Sequence, residues 1–222
     1  MKFCTKEWYE EMQIAGIMCI YETEEEWEEY LAYFRSEGID YLQSQRELLE
    51  EKKEHLLTYL PEAFHPYIHD GTLNAIYPPP ELKEMAKQWK QDYDDRMRKV
   101  AETYNGYYKS IQNELPPNAV KLFENTLHDA KFTSYDRPDE ATFILYLDCR
   151  GSYHYFTDIK ITFHGVKHLE LPDLPENTWW LYDEIYTIDG GFELRVLLDS
   201  LEAFIISAVD VEIEALGELP SR

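Results

Sequence analysis

The chain has 222 residues, 44% of them hydrophobic and 15% aromatic, and a formal net charge of −23. That aromatic content excludes the disordered class that many acidic chains join, and no apolar window reaches the roughly 18 residues a membrane span requires. So negative a surface repels phosphates and anionic lipid headgroups, which excludes direct nucleic-acid binding and membrane association. The charge is spread along the chain: residues 1–130 hold 14 Lys+Arg against 26 Asp+Glu (−12), and residues 131–222 hold 7 against 18 (−11). Such a surface attracts cations and basic proteins, with a strong salt dependence.

The segment Met1-Lys2-Phe3-Cys4-Thr5-Lys6-Glu7 is charged and leads into no signal-peptide core. Cys4, Cys19 and Cys149 stand in no paired spacing. Together these features predict reduced thiols and a cytoplasmic protein.

The hydrophobic period changes once, near Ala130, from three and four residues to two. Before it, about five or six helices are expected. Residues 5–14 read as a short helix with Trp8, Tyr9 and Met12 on one side. Thr23 and Glu26 form a capping box for a helix carrying Trp27, Tyr30, Leu31 and Phe34, ended at Gly38. Asp40 starts a third helix that Pro61 stops. Residues 61–80 hold Pro61, Pro66, an Asp70-Gly71 turn and Pro78-Pro79-Pro80, so regular structure is broken there. The longest helix follows, with Leu82, Met85, Trp89, Tyr93, Met97, Val100, Tyr104, Tyr108 and Ile111 at helical spacing. Pro116-Pro117 opens a last helix to about Asp129.

The second half reads as about five antiparallel strands. Phe143, Leu145 and Leu147 lie on the first, and Ile159, Ile161 and Phe163 on the second. A hairpin follows, Trp179 to Tyr186 returning as Phe192 to Leu198 through Asp189-Gly190-Gly191. Val209, Val211 and Ile213 form the last. The expectation is an α+β protein: a helical region over residues 1–130 and an antiparallel meander over 131–222, packed together as one continuous unit.

The opening Lys2-Phe3-Cys4-Thr5-Lys6-Glu7-Trp8-Tyr9 resembles that of a family of uncharacterised, acidic cytosolic proteins from Gram-positive bacteria. So do Leu127-His128-Asp129-Ala130, Trp180 to Tyr186 and Gly190 to Leu198. The resemblance runs end to end and implies one continuous architecture, with no assigned chemistry. The strand-rich half is more loosely similar to acidic immunity proteins that neutralise bacterial toxins.

No dinucleotide or phosphate loop and no nucleophile elbow is present, so no cofactor is expected. The six glutamates between Glu22 and Glu29 read as a solvated face whose first turn suits the helix dipole. Asp183 and Glu184 are neighbours on a strand and should point to opposite faces. Two constellations remain. His65 and His69, with Asp70 and the more distant His128-Asp129 pair, could supply metal ligands: His65, His69, Asp70 and Asp129. The outward side of the last strands, Glu193, Asp210, Glu212 and Glu214, with Trp179 or Trp180 as anchor, would suit a basic partner. The leading expectation is a non-enzymatic binding protein for a basic protein surface. Its alternatives are a metal-dependent hydrolase of the His-Asp type and a structural or regulatory subunit.

Overall fold

The computed structural model describes residues 1–175 and 177–217. The chain forms two compact units: Glu7–Lys99, and Met1–Lys6 with the chain from Val100 onward.

The first unit is helical. It holds most of α1 (Lys6–Ile17), then α2 (Glu24–Ser36), α3 (Tyr41–Glu51), α4 (Lys53–Tyr59), a 3-10 turn at Glu62–Phe64, α5 (His65–His69) and the start of α6 (Pro80–Ile111). The capping box is present: Thr23 Oγ1 accepts from the Glu26 N–H at 3.1 Å, and Glu26 Oε2 accepts from the Thr23 N–H at 3.3 Å. The helix begun at Asp40 is split at Lys52, whose backbone turns to φ −98° and ψ 7°. Hydrogen bonds still run through the split, from the Lys52 N–H to the Leu48 carbonyl and from the Leu56 N–H to the Lys52 carbonyl. The proline-rich segment 61–80 contains a helix after all. Pro66 sits in the first turn of α5, where its missing N–H has no intrahelical partner to lose. Leu49, Leu56, Phe64, Ile68, Leu73 and Leu82 form the main core of this unit. Trp27, Leu31 and Tyr41 form a smaller aromatic one.

The second unit holds the end of α6, α7 (Pro117–Glu124) and eight strands: β1 (Lys131–Asp139), β2 (Thr142–Asp148), β3 (Asp158–His164), β4 (His168–Glu170), β5 (Trp180–Ile188), β6 (Gly191–Leu198), β7 (Ala203–Ala208) and β8 (Asp210–Ala215). They form two four-stranded sheets, ordered β1-β2-β3-β8 and β4-β7-β6-β5, with every pairing antiparallel. The α+β class holds, but the single five-stranded meander does not. Phe143 and Phe163 of one sheet meet Phe192 and Phe204 of the other, with cross-sheet ring centroids 6.0–6.5 Å apart. The two inner faces therefore share one core, and the strands are layered as a sandwich. The last helix is also shorter than expected. It ends at Glu124 because Leu127-His128-Asp129 forms a turn, closed by the Ala130 N–H on the Leu127 carbonyl at 2.8 Å.

The β5–β6 hairpin turns at Gly190, in the left-handed region at φ 65°. A Cβ on the next residue, Gly191, would lie 2.1 Å from the Ala208 carbonyl oxygen of β7. That oxygen is backbone and cannot swing away. Gly191→Ala is therefore expected to cost about 1–3 kcal/mol or more, as overpacking does. A lowered urea midpoint checks it; an unchanged midpoint would mean that β7 yields freely. None of the helices described is long and apolar enough to cross a membrane.

Candidate functional site

An open cleft of about 480 Å³ lies in the sandwich unit, lined by Cys4, Tyr104, Phe123, Thr126, His128, Tyr153, Leu181, Tyr182 and Asp183. Its size is that of a small-ligand pocket. Each wall is placed by a specific backbone device. Strand β5 is an edge strand and brings Leu181, Tyr182 and Asp183. The turn before β1 is tied to it: the Asp129 N–H donates to the Trp180 carbonyl, and the Trp180 N–H to the Ala130 carbonyl, both at 2.9 Å. This fixes His128 beside Tyr182, with ring centroids 5.0 Å apart at 82°. Asp129 takes a positive φ of 67° to make the turn, a conformation aspartate tolerates better than most residues. Tyr153 comes from the β2–β3 connection, where Tyr155 and Phe156 are both left-handed at φ 70° and 54°. Its ring meets His128 at 5.8 Å and 80°. Helices α6 and α7 supply Tyr104 and Phe123, whose rings are 5.7 Å apart at 88°.

Cys4 reaches the cleft because Glu184 holds its backbone. The Glu184 side chain is fully buried. Its Oε1 accepts from the Phe3 and Cys4 N–H groups at 2.7 and 2.6 Å, and its Oε2 from the Lys2 N–H at 2.8 Å and from the Tyr186 hydroxyl. Four donors on two oxygens is a set suited to a carboxylate. The Tyr104 hydroxyl accepts from the Ile185 N–H at 2.7 Å, and the Phe3 ring stacks on Tyr104 at 4.9 Å. The alternation of β5 thus gives the neighbouring acids different tasks. Glu184 pins residues 2–4, and Asp183 faces the cleft.

Burial pushes the Asp183 carboxyl up to about 7. The Trp180 indole N–H, donating to Oδ2 at 2.8 Å, offsets part of the rise, and the neighbouring Glu184 adds to it. Burial, with the charges of Glu184 and Asp183, pushes the Cys4 thiol up to about 12, so it stays neutral. Burial also raises the Tyr104 phenol. His128 Nδ1 lies 3.0 Å from Asp129 Oδ1 without the alignment of a hydrogen bond. A carboxyl pushed toward neutrality by burial, in a cleft lined by five rings, makes this cleft the candidate site.

The residues singled out from sequence fall as follows. Trp180 is core, 1% exposed, while Trp179 is 38% exposed with the Lys131 ammonium 4.6 Å from its ring centroid. Asp210, Glu212 and Glu214 are exposed on β8. Two of them face basic side chains of β3: Glu214 lies 3.3 Å from Lys160, and Glu212 3.8 Å from His164. Glu193 belongs to the other sheet and is half-buried, bonded to Arg195 at 2.6 Å and to the Ser207 hydroxyl at 3.0 Å. His65 and His69 share α5, with perpendicular rings 6.4 Å apart. His65 Nε2 sits 3.1 Å from the Leu60 carbonyl, and Asp70 accepts from the Thr72 N–H at 3.1 Å. Asp129 belongs to the other unit. Among the described residues no group of three or more His, Cys, Asp or Glu side chains converges as metal ligands would.

A family of proteins of unknown function, DUF4085, matches residues 3–207. The chain belongs to the DUF4085 family. Comparison with curated proteins and with solved structures returns no match. The DUF4085 match spans every element that lines the cleft, from Cys4 to Asp183.

Proposed function

We propose that this protein is a cytoplasmic, non-enzymatic binding module that recognises a basic protein partner, taking a cationic side chain of that partner into the cleft. One observation carries the reading: Asp183 lines a cleft shared with the rings of Tyr104, Phe123, His128, Tyr153 and Tyr182, in a chain of net charge −23. Aromatic faces attract cations through their quadrupole, and a desolvated carboxylate adds a charge-assisted hydrogen bond. The exposed acids of β8, Asp210, Glu212 and Glu214, supply long-range attraction that speeds encounter with a basic surface. An inhibitor of a basic enzyme, immunity-like or mimicking nucleic acid, is the kind of role such a module fills.

The test is affinity capture from a native lysate with the wild-type protein and with Asp183→Asn, at low and at high salt. Basic proteins held by the wild type at low salt, and lost both at high salt and from the variant, are the expected result. An identical set captured by both proteins would overturn the role of the cleft.

A further inference from the structure

Taking the cleft to be the cation site proposed above, we infer that it selects an alkylammonium group over a guanidinium, so that the group it receives is a lysine-type amine. Two features of its geometry lead there.

The first is the state of the carboxyl. A guanidinium binds a carboxylate best as a fork, with two parallel N–H bonds to the two oxygens. Asp183 already spends Oδ2 on the Trp180 indole N–H at 2.8 Å, and that indole is locked in the core. Opening Oδ2 to a fork would share its lone pairs with a fixed donor. An ammonium is a compact point charge that needs only one oxygen, so it can bind without disturbing the Trp180 bond to Oδ2.

The second is the arrangement of the rings. A guanidinium is planar and gains most by lying flat on an aromatic face. The ring pairs lining this cleft stand at 80°, 82° and 88° to each other, so within none of these pairs do parallel faces meet a planar group. A nearly spherical ammonium can meet a ring face from any of these directions.

The same chemistry could arrive on a lysine side chain or as a free aliphatic diamine, and the experiment separates the two. The ¹⁵N-labelled full chain is titrated with Nα-acetyl-lysine amide, Nα-acetyl-arginine amide and 1,4-diaminobutane, while the Trp180 indole N–H resonance is followed. That proton touches the carboxyl directly, so it reports the site and not general surface charge. The lysine compound is expected to shift it saturably and to bind about three- to fivefold more tightly than the arginine compound. Tyr153→Ala removes an exposed wall ring and should weaken the lysine compound by a similar factor without unfolding the protein. An arginine compound that binds equally or more tightly overturns the selectivity and leaves the cation site standing. No shift with any of the three overturns both readings. A shift with the diamine alone upholds the ammonium and overturns the protein partner.

Discussion

Replacing Glu184 with alanine is expected to lower stability by about 3–5 kcal/mol, because three backbone N–H groups and a tyrosine hydroxyl lose a common acceptor. Each bond is modest when made. Leaving a buried donor unmade is what costs, and the desolvation of several donors falls due together. The alanine also leaves a cavity beneath residues 2–4, since the glutamate is fully buried. The loss should be local as well as global. Hydrogen exchange at the Phe3 and Cys4 amides should rise by more than the global stability change explains. Cys4 should be alkylated faster near neutral pH, because releasing its backbone exposes it and removes an acid that raises its thiol. Peptide mapping separates Cys4 from Cys19 and Cys149. If the alanine variant does not fold, Glu184→Gln keeps the volume but turns an NH₂ toward donors, and it should show the same local pattern more mildly. Unchanged exchange at Phe3 and Cys4 in both variants would show that Glu184 does not hold this segment.

The readable parts of the chain are those where local chemistry decides. Thr23 with Glu26, Asp40, and the three prolines that lead into α6, the last of them its first residue, are short-range devices, and each helix start falls where its device predicts. Strands with strict alternation, such as β3 with Ile159, Ile161 and Phe163, are equally plain. What escapes is what depends on distant partners. Strand β1 is exposed from Thr133 to Asp139, carries Pro138 and has two register shifts, so it lacks the alternation of a half-buried strand. These are also the features that blunt a sheet edge against aggregation. Strand β7 alternates Phe204, Ile206 and Ala208 with Ile205 and Ser207, too apolar on both sides to announce a face. The division into two sheets is a matter of pairing: β3 bonds β8 across some 50 residues, and hydrophobic period carries no information on which strands pair. The cleft is hidden for the same reason, because Cys4, Tyr104, His128 and Asp183 are scattered along the chain. The local signal is a pair of acids, Asp183 and Glu184, in a strand otherwise rich in Trp, Leu, Ile and Tyr, where an acid has no reason to be unless something needs it.

That aspartate also gives the second large effect, a pH dependence that Asp183→Asn should remove. The folded protein holds the Asp183 proton up to about 7, whereas the ordinary aspartate value is 3.8. Between those values the folded state binds a proton that the unfolded chain has released. The resulting stabilisation is fully present below 3.8 and is lost as the pH rises through about 7. The separation of about 3, at about 1.36 kcal/mol per pH unit, sets an upper limit of about 4 kcal/mol. Asp183→Asn cannot ionise, so its stability should exceed that of the wild type at pH 8.5 and approach it at pH 4. Urea midpoints across this range check the sign. A gap that is constant with pH would mean that Asp183 does not titrate near neutrality. Cation binding should run the other way, because the ammonium needs the carboxylate. Affinity for the lysine compound should rise through pH 7, and binding at pH 6.5 should release a proton, seen as a calorimetric heat that varies with the ionisation heat of the buffer. His128 lines the same cleft beside Asp129, so His128→Gln with Asp183 intact is the needed control. If the pH dependence of affinity persists in it and vanishes in Asp183→Asn, one carboxyl links the stability of the fold to the charge of its ligand.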